Sequence, residues 1–301
     1  MEVRGLDRIV SHSQNFLHSK KLVGKIVSLS NIVQDDIVIE IGPGKGIITY
    51  ELGQRCSDVI AIEYDKSLYD KLSIRFKETG NIKIVNMDFM LYKLPNKPYK
   101  VFSNIPFNMT ADIIQKILDV DEKLTDAYLI IQYEAALKYI GTPYYADCFR
   151  SLYYKPLFEA EIIYEFKPTD FSPPPKARIV LVHFHKKEYS DVKTESYSKY
   201  RDFLSYVFYG AGRTFKEKTK QVFSYEQQKR IRKASGIEFD STISYWTYPQ
   251  WIAMFNCYDK LVSKEKQALV NGAYSKMLQS QKSIKKEHRN RKRINNNGKK
   301  T

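Results

Sequence analysis

Seven short apolar runs punctuate the first 188 residues: Ile37–Ile41, Val59–Glu63, Ile82–Met87, Tyr99–Ser103, Ala127–Gln132, Ala160–Phe166 and Ile179–Phe184. Their length and their β-branched and aromatic content read as strands. Helical spacing separates most of them, over Ile47–Arg55, Ser67–Thr79 and Thr110–Leu118. An amphipathic helix is expected before the first strand, over residues 19–34, with Leu22, Ile26, Val27 and Leu29 on its buried face. Strand-helix alternation predicts an α/β fold with a parallel sheet and helices on both faces. The last two runs are joined by the Pro168–Lys176 loop, too short for the crossover of about a dozen residues that parallel strands need. They should pair antiparallel at one edge.

After about residue 188 the pattern turns wholly helical. Glu195–Tyr209 is one helix, Ser224 with Gln227 forms a capping box for a second, and Pro249 stands near the start of a third, Gln250–Val262. The expected organisation is a catalytic α/β domain over 1–188, a helical domain over 189–264 and a basic tail over 265–301. Residues 263–279 can add a further helix, and the chain beyond Lys282 has the polar, charged composition of disorder. There is no internal repeat.

Composition narrows the function classes. Of 301 residues 43% are hydrophobic, enough for a sizeable core, yet no run approaches the roughly 18 apolar residues of a membrane span. The N-terminus, Met1–Gly5, leads into no apolar signal region, so no export is expected. Cys56, Cys148 and Cys257 are odd in number and far apart, which suggests neither a disulfide framework nor a zinc site and fits a reducing cytoplasm. The formal net charge of +15 favours a polyanionic partner. Nine Lys/Arg and one acid, Glu287, lie between Lys282 and Thr301. That segment invites salt-sensitive phosphate contacts, or is merely solvated. Residues 1–12 read as a basic arm, whose Arg4 and Arg8, with Arg213, Lys216, Lys218 and Lys220, can flank a nucleic acid.

The candidate chemistry lies just past the strands. Glu40-Ile41-Gly42-Pro43-Gly44-Lys45-Gly46 follows the first strand and opens a helix. Its glycines let a ligand approach the backbone. Ile47 stands where a dinucleotide fingerprint needs glycine, so the motif suits a nucleoside without a pyrophosphate, or else is a tight turn alone. Glu63 ends the second strand, placed to accept ribose hydroxyls. Asp88 ends the third, placed to accept from an adenine amino group. Each singly could be a solvated strand end, but both fall at the carboxyl edge where open α/β sheets bind ligands. Asn104-Ile105-Pro106-Phe107 ends the fourth strand. The Asn104 side-chain oxygen and the Ile105 carbonyl can accept both hydrogens of an exocyclic amine. Pro106 sets the turn, and Phe107 can stack on a base, unless it simply packs the core. Phe171, in the rigid Phe171–Lys176 loop, offers a second aromatic face or anchors that loop, with Lys176 near phosphate. The cleft suits S-adenosylmethionine and a flat amine-bearing ring that has left its stack. His183 and His185 share one strand face, and no further metal ligand is visible in the sequence, so no metal is expected.

Together these motifs resemble the RNA adenine-N6 dimethyltransferases, which include the Erm enzymes of 23S rRNA and the small-subunit rRNA dimethyladenosine transferases. The resemblance covers about residues 11–186 and continues more weakly into the helical part. Ser11-His12-Ser13-Gln14-Asn15-Phe16, Lys45 within the glycine motif, and Ile105 with Phe107 look like the Erm branch. The resemblance implies a Rossmann-like, seven-stranded S-adenosylmethionine-dependent methyltransferase domain with a small all-helical C-terminal domain. It implies cofactor contacts from Asn15, Leu17, Gly42, Gly44, Glu63, Asp88 and Asn104, and target-adenine contacts from Asn104, Ile105, Pro106, Phe107 and Phe171. The implied partner is 23S rRNA at an unpaired adenine of the peptidyl-transferase loop. The implied product is N6-mono- or dimethyladenine, with resistance to macrolides, lincosamides and streptogramin B. A cytoplasmic monomer without metal or membrane attachment is expected. Gly141–Arg150, the Tyr-rich Tyr144–Tyr154 segment and the length of the tail depart from the pattern. The rival readings are the same chemistry on small-subunit rRNA and a nucleic-acid-binding factor that kept the fold without catalysis.

Overall fold

The computed structural model of the chain describes residues 15–119 and 123–283. The N-terminal arm with Arg4 and Arg8, the Ser11–Gln14 part of the first motif, and residues 284–301 of the basic tail lie outside the described residues.

The seven expected strands form one sheet: β2 (Ile37–Ile41), β3 (Asp58–Glu63), β4 (Ile82–Asn86), β5 (Tyr99–Asn104), β6 (Leu124–Gln132), β7 (Phe158–Glu165) and β9 (Ile179–Lys186). Their order is β4-β3-β2-β5-β6-β9-β7. β2 to β6 pair in parallel with one another, and β9 is antiparallel to both β6 and β7. The expected antiparallel pair of β7 and β9 is present at one edge, with β9 inserted between β6 and β7. Two further strands, β1 (Phe16–Leu17) and β8 (Phe171–Ser172), make a small antiparallel ribbon that ties the N-terminal segment to the proline-rich loop.

Strand periodicity of two sorts side chains to two faces. Ala127, Leu129 and Ile131 of β6 and Val180, Val182 and Phe184 of β9 face α4 (Thr110–Asp119) and α5 (Tyr133–Ile140). The same buried cluster runs on into the C-terminal helices through Phe203, Trp251, Phe255 and Tyr258, so the helical part shares a core with the sheet. Tyr128, Ile130, Ile179 and Leu181 face the other way, against Val23, Ile26 and Val27 of α1 (Lys20–Ser28) and Leu52 of α2 (Ile47–Gly53).

Helix α3 (Lys66–Arg75) crosses between β3 and β4, and α6 (Phe149–Tyr154) lies in the Tyr-rich stretch. The C-terminal helices are α7 (Tyr197–Tyr209), α8 (Phe215–Thr219), α9 (Tyr225–Ser235), α10 (Tyr248–Leu261), α11 (Lys264–Ala268) and α12 (Ala273–Ser283). The Ser224–Gln227 capping box is formed in both directions, and Pro249 opens α10. Where one helix was expected over 263–279 there are two, interrupted at Gly272, whose φ of 76° no helix tolerates. Helix α12 is seated on α7. Asp202 accepts hydrogen bonds from the amides of Gly272 (2.8 Å) and Tyr274 (3.0 Å), and the Tyr274 ring stacks on Tyr153 at 5.4 Å. The segment assigned to the tail is therefore helical as far as Ser283.

Candidate functional site

The carboxyl ends of β4, β3, β2 and β5 lie side by side and present Asp88, Glu63, the Gly42–Gly46 turn and Asn104 in one row. At the usual strand spacing that row is about 14 Å long.

The turn after β2 is held by short polar links. The amide of Gly42 donates to the carbonyl of Ile62 (2.9 Å), and the Arg75 guanidinium donates to the Lys45 carbonyl (2.7 Å). Gly42 and Gly44 both have positive φ, 65° and 57°. They differ in what surrounds them. A Cβ on Gly44 would sit 2.6 Å from the Phe16 ring, whereas a Cβ on Gly42 would meet nothing within 4 Å. Gly44 is thus required by packing, and Gly42 leaves open space at the mouth of the cleft.

Glu63 is buried, and both its oxygens are used: one accepts from the Gly44 amide (3.1 Å) and the other from the Asp65 amide (2.9 Å). Burial raises its pKa, opposed by those two amide hydrogen bonds. Asp88 caps the short 3-10 turn Phe89–Leu91, accepting from the Met90 amide at 2.8 Å. The two acids also shape the backbone around the cleft.

Asn104 ends β5 with its amide fixed. Its Nδ2 donates to the Asn15 carbonyl (2.9 Å), and Asn15 Nδ2 donates in turn to the Pro173 carbonyl (2.6 Å). Because a carbonyl only accepts, Asn104 turns its NH2 toward Asn15, which leaves its side-chain oxygen as the acceptor available to a ligand. Pro106 carries the chain into the Phe107–Met109 turn, and the Thr110 hydroxyl donates to the Phe107 carbonyl (3.1 Å). The cleft is lined by Asn15, Leu17, Gly42, Asn104, Pro106 and Phe107, together with Glu40, Phe16, Pro43, Lys45, Ile47, Ile48 and Ile105.

Two sequence expectations are modified, and one cleft residue was missed. Phe171 does not line the cleft. It is buried at 2% exposure with its ring packed 5.3 Å from Phe166, because β8 pairs with β1 and turns this side chain into the core. Lys218, expected to face a nucleic acid, is buried and spends its ammonium on the carbonyls of Phe208 and Gly210. Arg213, Lys216 and Lys220 are exposed. Glu40 received no role from the sequence, yet it is 1% exposed, lines the cleft beside Gly42, and has an oxygen with no hydrogen-bond partner. Burial, with the charge of Glu63 adding, pushes its carboxyl up to about 8. The signal was an acid inside the apolar run Ile37–Ile41, a costly placement unless something cationic or hydrogen-bonding meets it.

A profile of the family described as ribosomal RNA adenine dimethylase matches residues 8–260. The chain belongs to the ribosomal RNA adenine dimethylase family. Among curated members, an rRNA adenine N-6-methyltransferase of Bacillus anthracis is 29% identical over 253 residues, 84% of this chain and 88% of that protein. One of Bacteroides fragilis is 30% identical over 248 residues, 81% of this chain and 90% of that protein. A ribosomal RNA small subunit methyltransferase A of Persephonella marina is 32% identical over 200 residues, 65% of this chain and 76% of that protein. Among solved structures, the 23S rRNA methyltransferase ErmE superposes with a TM-score of 0.75 at 24% identity, over 82% of this chain and all of that one. This fold likeness spans both the sheet and the C-terminal helices of this dimethylase-family chain.

Proposed function

We propose that this chain transfers methyl groups from S-adenosylmethionine to N6 of a specific adenine in 23S rRNA, in the manner of the Erm branch, and that the modified base confers macrolide, lincosamide and streptogramin B resistance. The observation that carries the reading is the fixed Asn104 amide, one strand away from a glycine turn with open space at Gly42.

The residues fit the cofactor. Gly42 leaves room for a ligand to touch the backbone, and Glu40 offers a buried carboxyl with one oxygen unpartnered, suited to an ammonium group. Glu63 and Asp88 stand where an adenosine would extend along the row. When bound, the cofactor supplies a sulfonium-activated methyl group. The Asn104 side-chain oxygen and the Ile105 carbonyl accept the two hydrogens of the target amine. The amine lone pair, otherwise delocalised into the ring, is thereby turned toward the methyl. Phe107 provides the apolar face for the base. Holding the amine in line accounts for much of the rate. No strong general base is needed, since the methylated ammonium product is acidic and gives its proton to water. Phe171 acts through β8, which holds the loop bearing Pro173 against Asn15. A cytoplasmic setting agrees with a ribosomal substrate, and no helix among the described residues is long and apolar enough to cross a membrane.

The greater coverage by relatives named rRNA adenine N-6-methyltransferase supports the 23S branch over the small-subunit one. The test is transfer of labelled methyl from S-adenosylmethionine to protein-free 23S rRNA, with 30S subunits in parallel. Label on a single 23S adenine is expected. Label on 30S alone would overturn the choice of branch, and cofactor binding without label anywhere would overturn catalysis.

A further inference from the structure

The sheet carries a second cluster of chemistry, far from the cleft. His183 and His185 of β9 point to the α1 side, as alternate residues of a strand must. The register places Asp126 of β6 opposite His185, and Tyr128 opposite His183. Asp126 is buried at 2% exposure. Its Oδ1 lies 2.8 Å from His183 Nε2 and 2.9 Å from His185 Nδ1, and accepts from Asn31 Nδ2 at 3.1 Å. One nitrogen from each imidazole and one carboxylate oxygen fall within 4.8 Å of one another.

We infer that Asp126, His183 and His185 form a binding site for a divalent transition-metal ion such as Zn2+, separate from the methyl-transfer cleft. Two imidazoles and a carboxylate are a donor set suited to such ions, and three protein ligands leave a position for water. A tetrahedral ion with ligands at about 2.0–2.1 Å separates them by about 3.3 Å, so each imidazole nitrogen must retreat about half an ångström from Asp126, while the two nitrogens, within 4.8 Å of each other, settle at that same separation. The rest of the site is in place. His183 is clamped by the Tyr128 ring, stacked at 4.3 Å and 10°. Its other nitrogen, Nδ1, faces the exposed Glu161 carboxylate of β7 at 3.8 Å, longer than a hydrogen bond. His185 is half-exposed and gives an ion its way in.

The site lies toward the opposite end of the strands from the cleft. Asn104 is opposite Ile130 on β6, four residues beyond Asp126. That is about 13 Å along the strand. The ion would pin β6, β9 and the Asn31 loop together without touching a transferring group.

The full chain, stripped with a chelator and desalted, should be titrated with Zn2+ by calorimetry and with Co2+ by visible absorption. One tight equivalent of Zn2+, and Co2+ bands of a low-coordinate nitrogen-oxygen site, are expected. His185→Gln should weaken Zn2+ at least about tenfold and remove the bands, with methyl transfer by the Zn2+-free protein unchanged. His183→Gln keeps a side chain able to donate to Asp126, so it should fold and still lose the ion. Absence of a tight equivalent, or binding by both variants as in the unsubstituted chain, would overturn the assignment.

Discussion

Gly42 and Gly44 share a backbone conformation and differ in surroundings, so alanine at each separates ligand space from packing. Alanine in the left-handed region costs roughly 1–2 kcal/mol. At Gly42 that strain is the whole structural cost, since a Cβ there meets no atom within 4 Å. At Gly44 the Cβ would lie 2.6 Å from the Phe16 ring, and Phe16 is half of the two-residue ribbon with β8. Overpacking typically adds about 1–3 kcal/mol, giving roughly 2–5 kcal/mol in all. Urea denaturation should therefore rank Gly44→Ala well below Gly42→Ala. Calorimetric titration with S-adenosylmethionine should show the opposite dissociation of effects at Gly42, where the added methyl occupies ligand space and lowers affinity at least about tenfold, or 1.4 kcal/mol. Gly42→Ala binding the cofactor as well as the unsubstituted chain would refute the placement of the ligand. Equal stability of the two variants would refute the reading of Gly44 as a packing contact.

Asn104→Ala should lose about 1 kcal/mol with the bond to Asn15, yet drop turnover by on the order of a hundredfold or more with cofactor affinity nearly kept; retained turnover removes it from the mechanism. The folded Glu40 carboxyl, pushed up to about 8, titrates above the ordinary 4.5 of the unfolded chain. The native state then holds the extra proton between those values, and cofactor-free stability should fall as pH rises through that window. Glu40→Gln should flatten that decline in Tm, and an unaltered profile would assign the slope elsewhere. Asp202→Ala removes the acceptor of two amides at the start of α12 and should cost roughly 1–2 kcal/mol. Limited proteolysis should then cut near Gly272, and unchanged protection would mean that packing alone seats the helix.

The parallel sheet was readable because its strands are doubly covered and therefore nearly continuous apolar runs, bounded by turn residues. The candidate site residues Glu63 and Asn104 stood out for the same reason: each is a polar side chain at the end of such a run, on the edge where open α/β sheets bind ligands. What escaped depends on pairing between distant segments. Phe171 looks alike in sequence whether it faces a base or the core, and only its strand's pairing with Phe16–Leu17 turns it inward. Lys218 sits among basic neighbours, and only the carbonyls of Phe208 and Gly210 show that its charge is spent internally. The third ligand beside His183 and His185 lies 57 residues away from His183 and becomes visible only through the β6–β9 register. The break at Gly272 was in plain sight, but a glycine inside a weakly periodic helix is an ambiguous mark.

The insertion of β9 between β6 and β7 has a consequence for how the chain acquires its fold. As synthesis proceeds, β6 completes a five-strand parallel sheet but keeps an open edge, and β7, though already made, has no hydrogen-bonding partner in that sheet. Both wait for Ile179–Lys186. An unpaired, apolar strand edge is a template for association with other chains. The vulnerable interval in biogenesis therefore ends only when β9 emerges. Truncations just before residue 179 should yield aggregating species, whereas chains cut after residue 186 should close the sheet.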